Sequence, residues 1–280
     1  MAHIRFLWDN LIDDPLAALV ASSENAEFPV ENIQHELFLK HWRSESGNPD
    51  TEICVDLSSL PVSGRDVRAW VIKNHNLDAA DCEVQASNTD DLCGSGIGFG
   101  SGAWSGSGYG SGHGHPEWDS DCPEDDPVAG FFATPQNFNY WKFVLYGAGV
   151  DTYDKIGRIF LGDYFEPSYD TTIPPEVTEA DDSEILPSRQ GQEYVNIVTQ
   201  YEIVTYVWKA LPASDIATMK EIFQSVGRHE SFFIHESDVG TSCLSPACSI
   251  TRYVKNIESW IFEPVIHGWG SVIVRVKTER

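Results

Sequence analysis

The chain has 280 residues, of which 41% are hydrophobic and 12% are aromatic, so it can build one large core or two ordinary ones and is not disordered as a whole. Its 18 Lys and Arg residues face 43 Asp and Glu residues, which gives a formal net charge of −25 at pH 7. A surface with that charge repels phosphate backbones and anionic lipid, and no local basic patch interrupts it. The sequence therefore predicts no nucleic-acid partner. It also predicts no membrane insertion, because no run of about 18 apolar residues occurs.

Residues 1 to about 91 have the pattern of short strands separated by turn residues. The segment TEICVDLSSL alternates Ile53, Val55 and Leu57 with polar residues, which is the period of a strand with one buried face. The segments DVRAWVIKNHNL and CEVQASN predict two further strands, the first of them buried on both faces. The first ten residues lack the basic region, apolar core and cleavage site of a secretory signal, so synthesis in the cytoplasm is expected.

Residues 93–126 are predicted to form one long insert, because strand patterning resumes only at Val128. The insert begins with a glycine-rich stretch whose backbone entropy disfavours an ordinary core strand. Its G-x-G pieces do not make a phosphate-binding loop, since no G-x-x-x-x-G-K-[ST] motif and no helix pattern follow them. The aromatic side chains on this stretch are candidate contacts to a partner protein, because they would otherwise be exposed: Phe99, Trp104 and Tyr109.

The second half of the insert is acidic and offers alternating oxygen ligands at Asp119, Asp121 and Glu124. Such ligands can hold Ca²⁺, but the glycine and the closing glutamate of an EF-hand are missing. A solvated run of charges is the favoured interpretation. We therefore predict no metal and no cofactor, and keep these three residues as calcium candidates.

Two other groups contain cysteine and histidine residues, which can bind metal ions, but their spacing is not that of a known metal site. One combines Cys93 and Cys122 with the histidines at 113 and 115, and the other is the pair Cys243 and Cys248. Neither contains the Cys-x-x-Cys spacing of structural zinc sites, so free or buried thiols are favoured, with zinc or a small disulfide loop left open for the pair. His229 and His235 flank an apolar strand and are expected to be ordinary strand histidines.

No motif in the chain points to catalysis. The G-x-S-x-G matches fall inside the glycine-rich stretch, without the strand-to-helix turn that a serine nucleophile needs. Some of the 43 acidic residues will always fit the paired carboxylates of a glycosidase, so their number carries no information. The sequence predicts that the protein is not an enzyme.

The C-terminal part is predicted to be a separate, smaller α+β domain at 190–280, joined by an acidic, proline-rich linker at 168–189. Its one predicted helix lies near 212–226, with Pro212 at the start and Gly227 just beyond the end. The apolar residues at helical spacing are Ile216, Met219, Ile222, Phe223 and Val226.

The order of motifs along the chain resembles discoidin-like jelly rolls, in the variant found in tail proteins of bacteriophages and gene transfer agents. A serine-rich first strand is followed by FPVENI, HWRS, TEICVDL, a strand entering NHN, and VQAS. The strings YWKFVLYG and IGRIFLGDYFEP resemble the closing strands of that variant. The later strings LPASD and FFI resemble the C-terminal part of such tail proteins, while the insert departs from the family.

The resemblance implies a mainly β protein with a discoidin-like antiparallel β-sandwich at 1–167, which carries the insert, and the α+β domain behind it. It also implies a structural component of a phage tail tip or baseplate, located in the virion tail. Such a protein would assemble as a symmetric homo-oligomer with neighbouring tail proteins. The alternative is a glycan-binding module that contacts a host glycan. Trp42 and Trp70 could stack on a sugar ring, although core positions are favoured for both.

Overall fold

The computed structural model describes most of the chain outside the insert. The described residues are 2–36, 40–45, 50–76, 82–89, 127–146, 153–181, 184–187, 193–196, 200–238, 249–265 and 268–279. They form two compact units, one of Asp9–Tyr164 and the other of Met1–Trp8 together with Phe165–Arg280. We call the first the sandwich unit and the second the α+β unit.

The described residues are mainly strands. In chain order they are β1 (Ala2–Leu7), β2 (Ala18–Ala21), β3 (Trp42–Arg43), β4 (Asp50–Asp56), β5 (Asp66–His75), β6 (Cys82–Ser87), β7 (Val128–Asn137), β8 (Tyr140–Tyr146), β9 (Lys155–Gly162), β10 (Ile173–Asp181), β11 (Glu184–Pro187), β12 (Glu193–Asn196), β13 (Gln200–Pro212), β14 (Ser231–Asp238), β15 (Ser249–Asn256), β16 (Ile261–Val265) and β17 (Trp269–Thr278). The described helices are α1 (Ala213–Val226) and three short 3-10 helices, Leu11–Asp13, Val30–Gln34 and Val62–Gly64. In the described part of the chain, no helix is long and apolar enough to cross a membrane.

The sandwich unit consists of two four-stranded antiparallel sheets, in the orders β2-β4-β8-β6 and β3-β9-β5-β7. Apolar side chains from both sheets share one core, among them Phe143 from the first sheet and Ile159 from the second. The inward positions predicted for β4 are confirmed, since Ile53, Val55 and Leu57 are fully buried, while Glu52 and Asp56 are partly exposed. Cys54, between two of these positions, is buried as well. Burying the inner face of each sheet against the other is the usual driving force for such a sandwich.

The α+β unit contains an antiparallel sheet in the order β1-β14-β15-β17-β13-β10, with β16 paired to β17, and the helix α1. Met219, Ile222 and Val226 of α1 are buried in one core with apolar residues of this sheet. The predicted helix is therefore confirmed. It ends at Val226 and is followed by Gly227, whose φ of 53° lies in the left-handed region that favours glycine. The hairpin β11–β12 forms a separate two-stranded sheet. The predicted fold class, an antiparallel β-sandwich plus an α+β part, is confirmed.

The N-terminal boundary of the units differs from the predicted one. Strand β1 pairs antiparallel with β14, and its residues Ile4 and Phe6 are buried in the core of the α+β unit. The sandwich therefore begins at Asp9 rather than at residue 1, and it ends at Tyr164 rather than at residue 167. A pairing between strands more than 220 residues apart leaves no trace in local periodicity, which is why the sequence pattern missed it.

The segment predicted as a linker, 168–189, contains the strands β10 and β11. Strand β10 pairs with β13 at the edge of the large sheet, and the pairing shifts register between Ile173 and Glu176. Pro174 and Pro175 occupy this irregularity, where prolines without N–H groups are tolerated. Most of the side chains of β10 are exposed, which accommodates its acidic composition. A proline-rich, acidic composition is therefore compatible with an exposed edge strand as well as with a linker, which is why the sequence predicted a linker at 168–189.

Candidate functional site

Most of the residues that the sequence singled out lie outside the described part of the chain. This holds for the partner-contact candidates, for the calcium candidates and for four of the cysteines, so these predictions stay predictions: Phe99, Trp104, Tyr109, Asp119, Asp121, Glu124, Cys93, Cys122, Cys243 and Cys248. Cys54, in β4, is disulfide-bonded. Within the described ranges, no group of three or more His, Cys, Asp or Glu side chains is arranged to hold a metal ion.

The described tryptophans and histidines from the sequence analysis occupy ordinary structural positions. Trp42 is fully buried and Trp70 packs against the core of the sandwich, so the core interpretation is confirmed for Trp42 and favoured for Trp70. His235 is buried in β14, where its Nδ1 lies 2.8 Å from the Oγ1 of Thr251. His229 is largely exposed and lies beyond the end of α1.

A cluster of three rings and one guanidinium group lies at the ends of strands in the sandwich unit. We call Phe28, His41, Arg43 and Tyr153 the ring–arginine cluster. The rings of Phe28 and His41 stack with centroids 4.6 Å apart and planes 19° apart. The guanidinium carbon of Arg43 lies 3.4 Å from the centroid of the Tyr153 ring and 5.9 Å from that of Phe28. All four side chains are half-buried, so the cluster is part of the protein surface.

A tight turn positions Phe28 beside β3. The backbone N–H of Phe28 donates to the carbonyl of Asn25 at 2.8 Å, and the Asn25 side chain accepts from the N–H of Glu27 at 3.0 Å. The turn is joined to β3 by two backbone bonds, from Asn25 to the carbonyl of Arg43 and from Arg43 to the carbonyl of Phe28. Asparagine suits this position because its side chain bonds the backbone two residues on.

Polar groups hold the segment just before β9, where Tyr153 lies. The next residue, Asp154, is buried, and its carboxylate accepts a hydrogen bond from the Thr51 hydroxyl. Asp154 and Ser44 also exchange bonds, because the N–H of Ser44 donates to the Asp154 carbonyl and the N–H of Asp154 donates to the Ser44 hydroxyl, both at 2.9 Å. The Asn76 amide donates to the Tyr153 carbonyl at 2.6 Å. Tyr153 and Arg43 are thus carried by neighbouring backbone segments that satisfied polar groups fix in place.

The Arg43 guanidinium has no acidic partner among the described residues. Its Nε is buried without a hydrogen-bond partner, and no described acceptor bonds to the rest of the group. Five other described arginines are paired with carboxylates, namely Arg5, Arg68, Arg158, Arg252 and Arg275. Arg65 bonds to backbone carbonyls and to Asn139, and Arg228 is exposed. Arg43 differs from the other partly buried arginines of the described chain, because it contacts rings and bonds to no described acceptor, although the sequence has 43 acidic residues. Its N–H donors are left for a ligand or for water.

Two described carboxyl groups of the sandwich unit have a raised pKa, and the charged groups that act on them are not those of the cluster. Burial raises the pKa of Asp9, and the charges of Asp14 and Asp163 raise it further. Burial also raises the pKa of Asp13, although its ion pair with Arg158 opposes that effect. The cluster itself supplies stacking surfaces and N–H donors, which are means of binding a ligand.

A second exposed surface lies on the α+β unit, on the face of the sheet opposite to α1. Ile173 of β10 pairs with Val207 of β13, which pairs with Ile273 of β17, which in turn pairs with Ile261 of β16. The four side chains form a continuous apolar row across four strands, which we call the isoleucine row. Ile173 and Ile261 are exposed, at 47% and 44%.

Sequence reasoning missed both surfaces. Arg43 and Phe28 stood within strings that were used only for the family resemblance, and nothing in the pattern indicates that residues 28, 41, 43 and 153 meet. One local feature of the sequence could have indicated such a site. An aromatic residue at the end of a predicted strand is not needed for the core when other residues of that strand already supply its inward-facing positions. Such a residue is a candidate for a surface at the end of a sandwich, where variable loops carry function.

Comparisons with known proteins give no family for this chain. No family model and no curated protein matches the sequence. Among solved structures, a GH29 fucosidase from Ruminococcus gnavus in complex with fucose matches 56% of this chain at 14% identity and a TM-score of 0.39. The chain spans 27% of that fucosidase. An F-lectin (fucolectin) from Morone saxatilis serum matches 98% of this chain and 99% of its own at 11% identity and a TM-score of 0.37. At such scores the likenesses carry no argument about function.

Proposed function

We propose that the protein is a glycan-binding module that binds sugar at the ring–arginine cluster of its sandwich unit. The observation that carries the proposal is the combination of partly exposed rings with an arginine whose N–H donors have no described partner. Apolar and aromatic surface with a few well-placed polar groups is the usual composition of a small-molecule site. A pyranose offers both an apolar C–H face and hydroxyl acceptors, so it matches such a surface. The proposal assigns no catalytic step to the protein.

The positions of the four residues support the proposal. Two of the side chains, Arg43 and Tyr153, lie at or next to strands whose backbone is bonded on both sides. A site on such a scaffold is ordered before the ligand arrives, so little conformational entropy is lost on binding.

Glycan binding is tested with an array of oligosaccharides and with calorimetry on the best ligand. We expect Tyr153→Ala to weaken binding at least about tenfold, because it removes the ring against which Arg43 is held. Tyr169→Ala is the matched control, since Tyr169 is an exposed tyrosine of the α+β unit, and it should leave the affinity unchanged. Equal loss in both variants, or no binding to any glycan on the array, would overturn the proposal.

A second candidate function is supported by the isoleucine row. We propose that a structural role in a phage tail tip or baseplate would use this row as the contact with another copy of the chain. Exposed apolar side chains aligned across neighbouring strands are unfavourable in water and are stabilised when a partner covers them. A homo-oligomer places the same row on every subunit, so one exposed row provides both halves of a two-fold contact.

The structural role is tested by sedimentation velocity and by mass spectrometry of purified particles. Ile261→Lys should dissociate an oligomer that forms through the row, whereas Ile250→Lys should not. Ile250 is exposed to the same 44% but pairs with Glu236 on the other face of the sheet. A monomeric chain at about 100 μM, together with its absence from the particles, would refute this second proposal.

A further inference from the structure

We infer that the ring–arginine cluster selects glycans that carry a carboxylate, such as uronic or sialic acids, and that Arg43 is the residue that selects them. This inference rests on the proposed function and adds the chemical class of the ligand. The positive charge of Arg43 supports it, because that charge has no carboxylate partner among the described residues. Binding of a neutral sugar does not require that charge.

The half-buried Arg43 has no hydrogen-bond acceptor among the described residues. A guanidinium group carries five N–H donors in a rigid plane and stays charged at all physiological pH values. None of these donors is bonded to a described residue, and the Nε is shielded from water. The terminal nitrogens of the group are not among the buried atoms, so their N–H donors are open to an acceptor that a ligand supplies, and hydrogen bonds between charged groups are the stronger ones.

The rings restrict how the guanidinium can be approached. With the Tyr153 centroid only 3.4 Å from the guanidinium carbon, the ring covers a flat face of the group. The Phe28 ring, 5.9 Å away, further limits the space above it. A ligand therefore meets the edge of the group, where its N–H bonds point. Edge-on approach gives the bidentate geometry in which arginine binds a carboxylate with two parallel hydrogen bonds.

The charge of the whole chain favours a carboxylate over a phosphate or sulfate ester. At a net charge of −25 the protein repels every anion, and the repulsion grows with the charge of the ligand. A singly charged carboxylate meets less repulsion than a phosphate of charge near two. A sulfate ester carries one charge as well, and two of its oxygens can accept the same pair of hydrogen bonds. Its remaining oxygens project out of the guanidinium plane, towards the faces that the Tyr153 and Phe28 rings cover, whereas a carboxylate is planar. The planar, singly charged group fits best.

The experiment compares acidic oligosaccharides with their methyl esters, which have nearly the same size without the charge. The probes are 3′-sialyllactose and trigalacturonic acid, each as the free acid and as the ester, titrated by calorimetry into the full chain at low salt. We expect the acid that binds best to bind at least about tenfold more tightly than its ester, and this ratio to shrink as salt is added.

Variants of Arg43 assign the preference to that residue. Arg43→Gln should lower the acid-to-ester ratio to about one while binding of the ester remains. Arg43→Lys retains the charge but not the planar pair of donors. Its acid-to-ester affinity ratio should therefore lie between that of Arg43→Gln and that of the unchanged chain. Arg228→Gln is the matched control, because Arg228 is an exposed arginine of the α+β unit, and it should behave as the unchanged chain does. Far-UV circular dichroism and thermal unfolding establish that each variant is folded.

Each result decides between the two proposals. Equal binding of acid and ester by the unchanged chain overturns the carboxylate inference and leaves the glycan-binding proposal standing. A preference that persists in Arg43→Gln overturns the assignment to Arg43. Tighter binding of a sulfated or phosphorylated counterpart overturns the choice of carboxylate. Absence of binding to acid, ester and every array glycan overturns both proposals.

Discussion

His235 is a buried titratable residue with a satisfied hydrogen bond and an unfavourable charged form. Burial lowers its pKa from 6.5 to about 4, and the positive charge of Arg5 on the neighbouring strand adds to the shift. The neutral ring bonds Thr251, so the folded protein holds this histidine in its uncharged state. A histidine that the sequence placed on a strand is thus a structural residue whose burial makes folding sensitive to acid.

The stability of the protein should fall in mild acid through His235. Because the folded pKa is depressed, the contribution of the neutral ring is fully present above pH 6.5 and is lost as the pH falls from 6.5 through about 4. The full loss is about 3 kcal/mol, since one pKa unit corresponds to about 1.4 kcal/mol. Urea unfolding at pH 7 and pH 4 measures it as the difference between the unchanged chain and His235→Gln, which cannot be protonated there.

His229→Gln is the control for this prediction, because His229 is an exposed histidine of the same unit. The unfolding free energy of His229→Gln should depend on pH in the same way as that of the unchanged chain. If His235→Gln and the unchanged chain lose stability in parallel between pH 7 and pH 4, His235 is not the residue that titrates.

At the scale of single elements, the sequence predicted those whose burial alternates at a fixed period. Strand β4 and helix α1 each have one face in a core, so their apolar residues recur at the period of the element. Strand β10 has no buried face and two prolines, and its composition is that of a linker. Among the apolar residues predicted for α1, Met219, Ile222 and Val226 are buried, and Ile216 and Phe223 are partly buried and pack against the same core.

Helix α1 should be sensitive to truncation on its sheet-facing side only. Ile222→Ala removes a fully buried side chain and should lower the unfolding free energy by about 2–4 kcal/mol, because the cavity cannot refill completely. Its sequence neighbour Glu221 is exposed, and Glu221→Ala should change stability by less than about 0.5 kcal/mol. Chemical denaturation of both variants measures the difference. Equal effects would mean that the buried face of α1 is assigned incorrectly.

At the scale of the whole molecule, the α+β unit is formed by two separate segments of the chain, and the sandwich unit lies between them in sequence. It begins with an edge strand of the α+β unit, continues through the whole sandwich from Asp9 to Tyr164, and then completes the α+β unit. The boundary at 167 was close to the observed one because proline and acidic residues mark it. The boundary at residue 8 and the ring–arginine cluster both depend on pairing between distant segments, which no local pattern encodes. The strands and the helix followed from periodicity and the β-sandwich from the family resemblance, whereas the start of the sandwich unit and the site required the structure.

A single substitution in the first strand should therefore act on residues at the other end of the chain. Phe6 is fully buried, and its ring lies 5.5 Å from that of Trp260 and 6.0 Å from that of Trp208. Phe6→Ala should destabilise the α+β unit by about 3–5 kcal/mol. Hydrogen exchange followed by mass spectrometry should show lost protection in 165–280 and unchanged protection in 9–164. The reciprocal variant Phe143→Ala, in the core of the sandwich, should show the opposite pattern. If Phe6→Ala lowers protection equally in both ranges, the two units unfold together and the division of the chain has no energetic meaning.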